Sequence, residues 1–219
     1  MDTSEAPYVE AAHRAALLVE SDMRLGLGTG RAATAFIEAV AGRYARGELT
    51  GLRCVPSSRR TEALARELGL PLAPWTEGLA LDLTVDGADE VDPQNRVLKG
   101  AGGALLLEKV IAAASRRWVL VIDASKQVER LGTHFPLPVE VVREAAAYVR
   151  AELDSLGRAE IRKQDAGADF VTDTGHLLLD LRIGPMDAPE AVAHRLGQVA
   201  GVVEHGLFLG AKPEVLVGA

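Results

Sequence analysis

The sequence predicts an α/β protein: a mostly parallel sheet flanked by helices, followed by a smaller α+β unit. Three observations carry that expectation. Short apolar runs alternate with helical patterns from the N-terminal region to Ile122. Turns that contain glycine follow three of those runs. The run 118–122 is apolar without a break, as a strand buried on both faces requires. Strands and helices that alternate at this spacing form βαβ units, whose strands lie parallel.

Each element has its own warrant. Residues 8–20 read as a helix because Ala11, Ala15, Leu18 and Val19 share one face. Residues 23–26 are a strand candidate that feeds the loop Gly26-Leu27-Gly28-Thr29-Gly30. A helix over 31–46 follows, with Ala32, Ala33, Phe36, Ile37 and Val40 at helical spacing. The strand 52–55 runs into Pro56-Ser57-Ser58 and a helix over 59–68. The strand 81–85 enters Asp86-Gly87-Ala88-Asp89. The pair Val97-Leu98 leads into Lys99-Gly100-Ala101-Gly102-Gly103 and a helix over 104–114.

The texture changes after Pro136-Leu137-Pro138. A strand at 139–142, a helix over 143–156, strands near 159–162, 169–172 and 177–181, and a helix over 189–198 resemble a split β-α-β, ferredoxin-like unit. The predicted boundaries are 1–132 plus 204–219 for the first domain and 133–203 for the second. The segments 202–209 and 213–217 are expected to return to the first.

A chain of 219 residues suits one large domain or a medium one plus a small one. Aromatic residues make up 4%, so the core must be built from Ala, Leu, Val and Ile. The formal charge, 24 − 31 = −7, argues against nucleic acid and anionic membranes, because both need a basic face. A small anionic ligand needs only a few local donors. Cys54 is the only cysteine, so no internal disulfide can form and a reducing cytoplasm is expected. The segment MDTSEAPYVE is acidic and leads into no apolar run, so it is not read as a signal peptide. No stretch reaches the roughly eighteen apolar residues of a membrane span.

Three loops could carry chemistry. Glycines at 26, 28 and 30 let backbone approach a phosphate, and the helix that follows offers free N–H groups and a positive dipole end. A nicotinamide-nucleotide fingerprint fails on spacing, since Arg31 stands where the third glycine belongs. No Gly-Lys-Ser/Thr follows either, and a plain strand-to-helix turn remains open. The second loop carries Asp86, Asp89, Glu90 and Asp92, four acids in seven residues. A solvated loop is the ordinary outcome for such clusters. The functional one is acid/base work on a polyol, where carboxylates receive and return hydroxyl protons. The third loop leads into a helix whose only charges are Glu108 and Lys109. A helix apolar almost all round is usually buried. A carboxylate there loses hydration and should titrate upward unless a cation compensates, which suits a general base. A solvent-facing window or a lysine partner for Glu108 is equally open on these residues.

All three loops follow candidate strands. In one parallel sheet they would share the carboxyl edge, where ligands bind. The histidines His13, His134, His176, His194 and His205 are scattered, and no metal-ligand spacing occurs.

The segments GLGTG, VDGADEVD, KGAGGALLLEK, VIDASKQVERLG, FPLPVEVV, FVTDTGHLLLD and GVVEHGLF resemble those of the type A ribose-5-phosphate isomerases. They occur in that family's order over roughly residues 26–209. The resemblance implies metal-free, cofactor-free interconversion of D-ribose 5-phosphate and D-ribulose 5-phosphate through a cis-enediolate, in the non-oxidative pentose phosphate pathway. It also implies a Rossmann-like catalytic domain with a small α+β domain involved in oligomerisation, and a homodimer or homotetramer in the cytoplasm. Glu108 then matches the proton-abstracting glutamate. Asp86 and Asp89 match the acids that handle ring opening and hydroxyl protons, and Lys99 the lysine beside the enediolate. Gly100, Ala101 and Gly102 match the backbone-binding turn, and Lys126 a substrate-contacting lysine. Gly28, Thr29, Gly30, Arg31, Ala32, Gly87 and Ala88 complete the expected phosphosugar site.

Two features depart from the family's pattern. Arg31 and Ala32 stand where Ser and Thr are usual, and the first helix lacks the early lysine that some members carry. Arg31 could fork onto phosphate oxygens or point to solvent. Two other functions compete with isomerisation. A non-catalytic sugar-phosphate sensor of similar fold would need a DNA-reading unit, for which the roughly 25 residues before the glycine loop leave no room. An acyl-CoA transferase relative would need a CoA-sized site, which is not evident.

Overall fold

The computed structural model describes residues 6–76, 79–210 and 212–218. Its elements run α1 (Pro7–Ala16), β1 (Arg24–Leu27), α2 (Arg31–Ala45), β2 (Arg53–Pro56), α3 (Arg59–Glu67), β3 (Leu81–Asp86), β4 (Glu90–Val91), β5 (Val97–Leu98), α4 (Leu105–Ala113) and β6 (Ser115–Asp123). They continue as β7 (Leu137–Val141), α5 (Ala146–Leu153), β8 (Arg158–Ile161), β9 (Leu177–Arg182), α6 (Pro189–Gly197), β10 (Val202–His205), β11 (Leu207–Phe208) and β12 (Glu214–Gly218). Two compact units result: Met1–Ala88 with Leu107–Lys126 and Ala211–Ala219, and Asp89–Leu106 with Gln127–Gly210.

The first unit is built on a five-stranded sheet in the order β12-β6-β3-β1-β2. All its pairings are parallel. Read from β2, that is the doubly wound order 2-1-3-4-5, which places its switch point between β1 and β3. Apolar β-branched and leucine side chains make these strands, and β6 buries its run Trp118–Ile122 as the sequence requires. The core holds Leu25, Leu27, Leu83, Val85, Val119 and Val121 against Ala11, Ala15, Ile37 and Val40, with Phe36 as its one fully buried aromatic ring. Small alanines on α1 let that helix pack against α2, β6 and β12.

Helix α1 stops at Ala16, four residues before the expected end. Leu17 turns out to solvent, and Val19 reaches the core from an irregular turn instead. A buried apolar residue is thus supplied without continuing the helix.

The second unit contains β7-α5-β8-β9-α6-β10, with its strands ordered β10-β7-β9-β8 and all antiparallel. This is the split β-α-β arrangement. Its core is Leu137, Val139, Val141, Val149, Leu153, Leu179, Leu181 and Leu196. The expected helix over 143–156 divides into a 3-10 turn, Arg143–Ala145, and α5. The expected strand near 169–172 forms only the isolated bridges Lys163↔Asp169 and Val171↔Leu177.

Residues 202–209 do not return to the first unit. β10 pairs with β7, closing an edge whose backbone groups would otherwise lie open. β11 pairs with β5, and β4 completes a three-stranded antiparallel sheet. Gly206 makes the passage possible, because a Cβ there would stand 2.2 Å from the carbonyl oxygen of Lys99. Only β12 rejoins the parallel sheet, beside β6. It follows that Val97-Leu98 is not a strand of the parallel sheet.

Candidate active site

In the first unit, functional candidates gather at the carboxyl ends of β1, β2, β3 and β6. The loop after β1 is shaped by close approach. A Cβ on Gly28 would come within 2.2 Å of the Asp86 carboxyl carbon, so only glycine admits that carboxylate. Asp86, 1% exposed, accepts from the Thr29 N–H at 3.1 Å and the Gly87 N–H at 2.7 Å through Oδ1. The acid expected to serve ring opening therefore also ties the end of β3 to the glycine loop. Gly30 has a φ of +120°, a backbone state that suits glycine, and starts α2.

Thr29 is held by hydroxyl groups that the sequence reading did not single out. Its Oγ1 lies 2.8 Å from Ser57 Oγ, 2.8 Å from Ser58 Oγ and 3.0 Å from Thr61 Oγ1. Thr61 in turn donates to the Gly28 carbonyl at 2.9 Å. All four hydroxyl residues are buried. The available signal was Ser58 three residues before Thr61, where Ser58 caps α3 by accepting the Thr61 N–H.

Arg31, the first residue of α2, is exposed, and its guanidinium lies 5.8 Å from the centroid of the Tyr8 ring. Ala32 sits behind Gly87: a Cβ at Gly87 would be 3.6 Å from the Ala32 Cβ. Lys126 closes a 3-10 turn after β6. Asp123 anchors that turn by accepting from the Ser125 N–H at 2.9 Å and from the Ser125 hydroxyl.

The acidic loop is not a solvated cluster. Asp86, Glu90 and Asp92 are all buried, each serving different backbone. Glu90 accepts from the N–H groups of Gly132 and His134 at 2.5 Å and of Phe135 at 2.9 Å. Asp92 accepts from the N–H groups of Gln94 and Arg96 and pairs with the Arg96 guanidinium at 2.6 Å. Repulsion is avoided because the chain turns each carboxylate toward its own donors. Asp89 is only part-buried, and its Oδ2 accepts the Ala101 N–H at 2.9 Å.

In the second unit, Asp89 and that N–H bond bring the acid loop to the turn Lys99–Gly103. Lys99 is 3% exposed, with its ammonium 5.9 Å from the centroid of the Phe208 ring and its N–H on the Gly206 carbonyl. Gly100 and Gly103 both have positive φ, +111° and +80°. Ala101 and Gly102 are exposed.

Helix α4 is less buried than its composition suggests, since Val110 and Ala113 face solvent. Its covered stripe is Leu105, Glu108, Ile111 and Ala112. Glu108 thus lies on the buried side, 3% exposed, among leucine and isoleucine neighbours of its own helix. A carboxylate so placed is sheltered from bulk water. Among the described residues, no three His, Cys, Asp or Glu side chains form a group that could hold a metal ion. No helix there is long and apolar enough to cross a membrane.

A family model described as ribose 5-phosphate isomerase A (phosphoriboisomerase A) matches residues 53–219. The ribose-5-phosphate isomerase A of Desulfatibacillum aliphaticivorans is 45% identical over 218 residues, covering 99% of this chain and 95% of the relative. A solved D-ribose-5-phosphate isomerase in complex with phospho-erythronic acid superposes with a TM-score of 0.92 at 33% identity, over 100% of this chain and 96% of that one. The ribose 5-phosphate isomerase A of Methanocaldococcus jannaschii superposes with a TM-score of 0.90 at 32% identity, over 99% and 96%.

Proposed function

The chain belongs to the ribose 5-phosphate isomerase A family, and on that premise we propose that it interconverts D-ribose 5-phosphate and D-ribulose 5-phosphate through a cis-enediolate, with Glu108 as the general base. The observation that supports this most is the burial of Glu108 within a chain matched along its length by isomerases. That match also disfavours a non-catalytic sugar-phosphate sensor.

The chemistry asks for few groups. Moving the carbonyl between C1 and C2 requires removing the C2 proton and returning it to C1, which one carboxylate can do on one face. Such a base contributes about 10²–10⁴-fold in rate. Negative charge grows on two oxygens as the proton leaves. Lys99 and the backbone of the turn Gly100, Ala101 and Gly102 are assigned to it, with Asp89 holding the Ala101 N–H and the Gly102 N–H left for the charge, each fixed donor worth on the order of 3 kcal/mol. Asp86 and Asp89 are assigned to ring opening and hydroxyl protons, with Gly87 and Ala88 lining their loop. Gly28, Thr29, Gly30, Arg31, Ala32 and Lys126 are assigned to the phosphate end, whose binding supports reaction at distant carbons.

A cytoplasmic homodimer or homotetramer in the non-oxidative pentose phosphate pathway is the setting this reading proposes, with the second unit in oligomerisation. That unit exposes Val142, Tyr148 and Val171, side chains an interface would cover.

The test is ketose formation across several aldose phosphates with EDTA present. Ribose 5-phosphate should be turned over with EDTA present, and phospho-erythronic acid should compete with it. Absence of turnover, or its loss with EDTA, would contradict the reading.

A further inference from the structure

Arg162 stands just after β8, sixty residues from the turn Lys99–Gly103, yet its guanidinium ends there. The side chain is 14% exposed. Its Nε donates to Asp180 Oδ2 at 2.9 Å and its Nη2 to Asp180 Oδ1, a two-point pairing that fixes the plane of the guanidinium. Asp180 is itself fixed on β9, opposite Glu160 of β8. The remaining arm, Nη1, donates to the carbonyl oxygens of Gly100 at 2.9 Å and Ala101 at 3.1 Å. The Phe170 ring covers the guanidinium at 5.8 Å from its centroid. The same ring occupies the space beside Gly103, where a Cβ would meet Phe170 Cζ at 2.4 Å.

The peptide bonds of the described chain are trans, and a trans peptide points its N–H away from its C=O. With the carbonyls of Gly100 and Ala101 turned to Arg162, the N–H groups of Ala101 and Gly102 are turned the other way. The Ala101 N–H meets Asp89 on that side. A cation on a carbonyl oxygen also polarises the peptide and strengthens its N–H as a donor.

We propose that Arg162 is a positioning residue for the isomerisation: held by Asp180 and Phe170, it sets the direction of the Gly100 and Ala101 peptide units, so that the Gly102 N–H is aimed at the charge developing on the enediolate. This rests on the reading of residues 100–102 as the substrate-binding turn. Arg162 touches no reacting atom; it acts through backbone.

The test compares Arg162→Met and Arg162→Lys with the unaltered full-length protein. Arg162→Met, with its Tm measured to verify folding, is expected to lower kcat about 10²-fold, as misplacement by about 1 Å does, while KM for ribose 5-phosphate stays within about threefold. Exchange of the C2 hydrogen with solvent deuterium should slow in parallel, since the enediolate-forming step is the one affected. Arg162→Lys keeps the charge but cannot fork to both carbonyls and Asp180, so a loss of about tenfold in kcat is expected. A folded Arg162→Met with kcat within threefold of the unaltered protein overturns the proposal, as does a change confined to KM. If Arg162→Met fails to fold, an Arg162→Lys variant with unaltered kcat overturns it. Failure of the unaltered protein to turn over ribose 5-phosphate overturns the functional reading itself, and the proposal with it.

Discussion

The glycine turn after β1 is buried and held by packing, whereas the turn between β5 and α4 is exposed at Ala101 and Gly102 and held by charge. In the first, the Asp86 carboxylate fills the place of a side chain at Gly28, and neutral hydroxyls of Ser57, Ser58 and Thr61 surround Thr29. In the second, Asp89 takes one N–H and Arg162 takes two carbonyls, leaving backbone open to solvent. A packed turn suits a part of the substrate that only needs to be gripped. A turn suspended between a carboxylate and a guanidinium keeps its peptide groups aimed, which suits charge that appears only during reaction.

Substituting the glycines should separate the two. Gly28→Ala drives a methyl group into Asp86, so overpacking of about 1–3 kcal/mol is expected, lowering Tm by about 2–4 °C per kcal/mol. Because both Asp86 and the loop proposed to grip the phosphate move, kcat/KM should fall at least about 10²-fold with both parameters changed. Gly103→Ala instead places its Cβ against the Phe170 ring that covers Arg162, at a φ of +80°. A loss of about tenfold in kcat with little change in KM is expected there, given the 10²-fold attached to a full 1 Å displacement. If the two variants gave the same kinetic pattern, the distinction between a gripping turn and an aiming turn would fail.

How legible these turns were differs for a physical reason. The first announces itself through glycine spacing next to an apolar strand, and the sheet follows from the alternation around it. The hydroxyl cluster does not, because Ser57, Ser58 and Thr61 read as an ordinary helix start and nothing local points to Thr29. The apolar composition of α4 left the burial of Glu108 open, and Val110 and Ala113 show that this composition overstates the covering of the helix. The acidic loop misleads in the opposite sense: its charges suggest solvent, yet Glu90 and Asp92 are buried on backbone donors that only the folded chain supplies. Arg162 could not be found at all, since its partners lie 62 and 18 residues away with no periodic signal between them. The two-residue strands β5 and β11 were too short for periodicity, so the return of the chain was expected too early.

Smaller effects sharpen the first turn further. Arg31→Ala should raise KM by about threefold to tenfold and leave kcat nearly unchanged, the pattern for loss of uniform binding. Unchanged KM would assign Arg31 to its contact with Tyr8 and to solvent. The smallest effect is expected at Cys54 on β2, where burial pushes the thiol up to about 12. The native protein should therefore resist iodoacetamide at pH 8, while the denatured chain reacts readily. Rapid alkylation of the native protein would show that the core around β2 is open to water.

The most direct measurement is on Glu108→Gln, which keeps shape and removes the titrating carboxylate. Isomerisation should fall by about 10²–10⁴-fold, and calorimetric affinity for ribose 5-phosphate should stay within about threefold. A variant that isomerises at nearly the unaltered rate would contradict the assignment of Glu108 as the base.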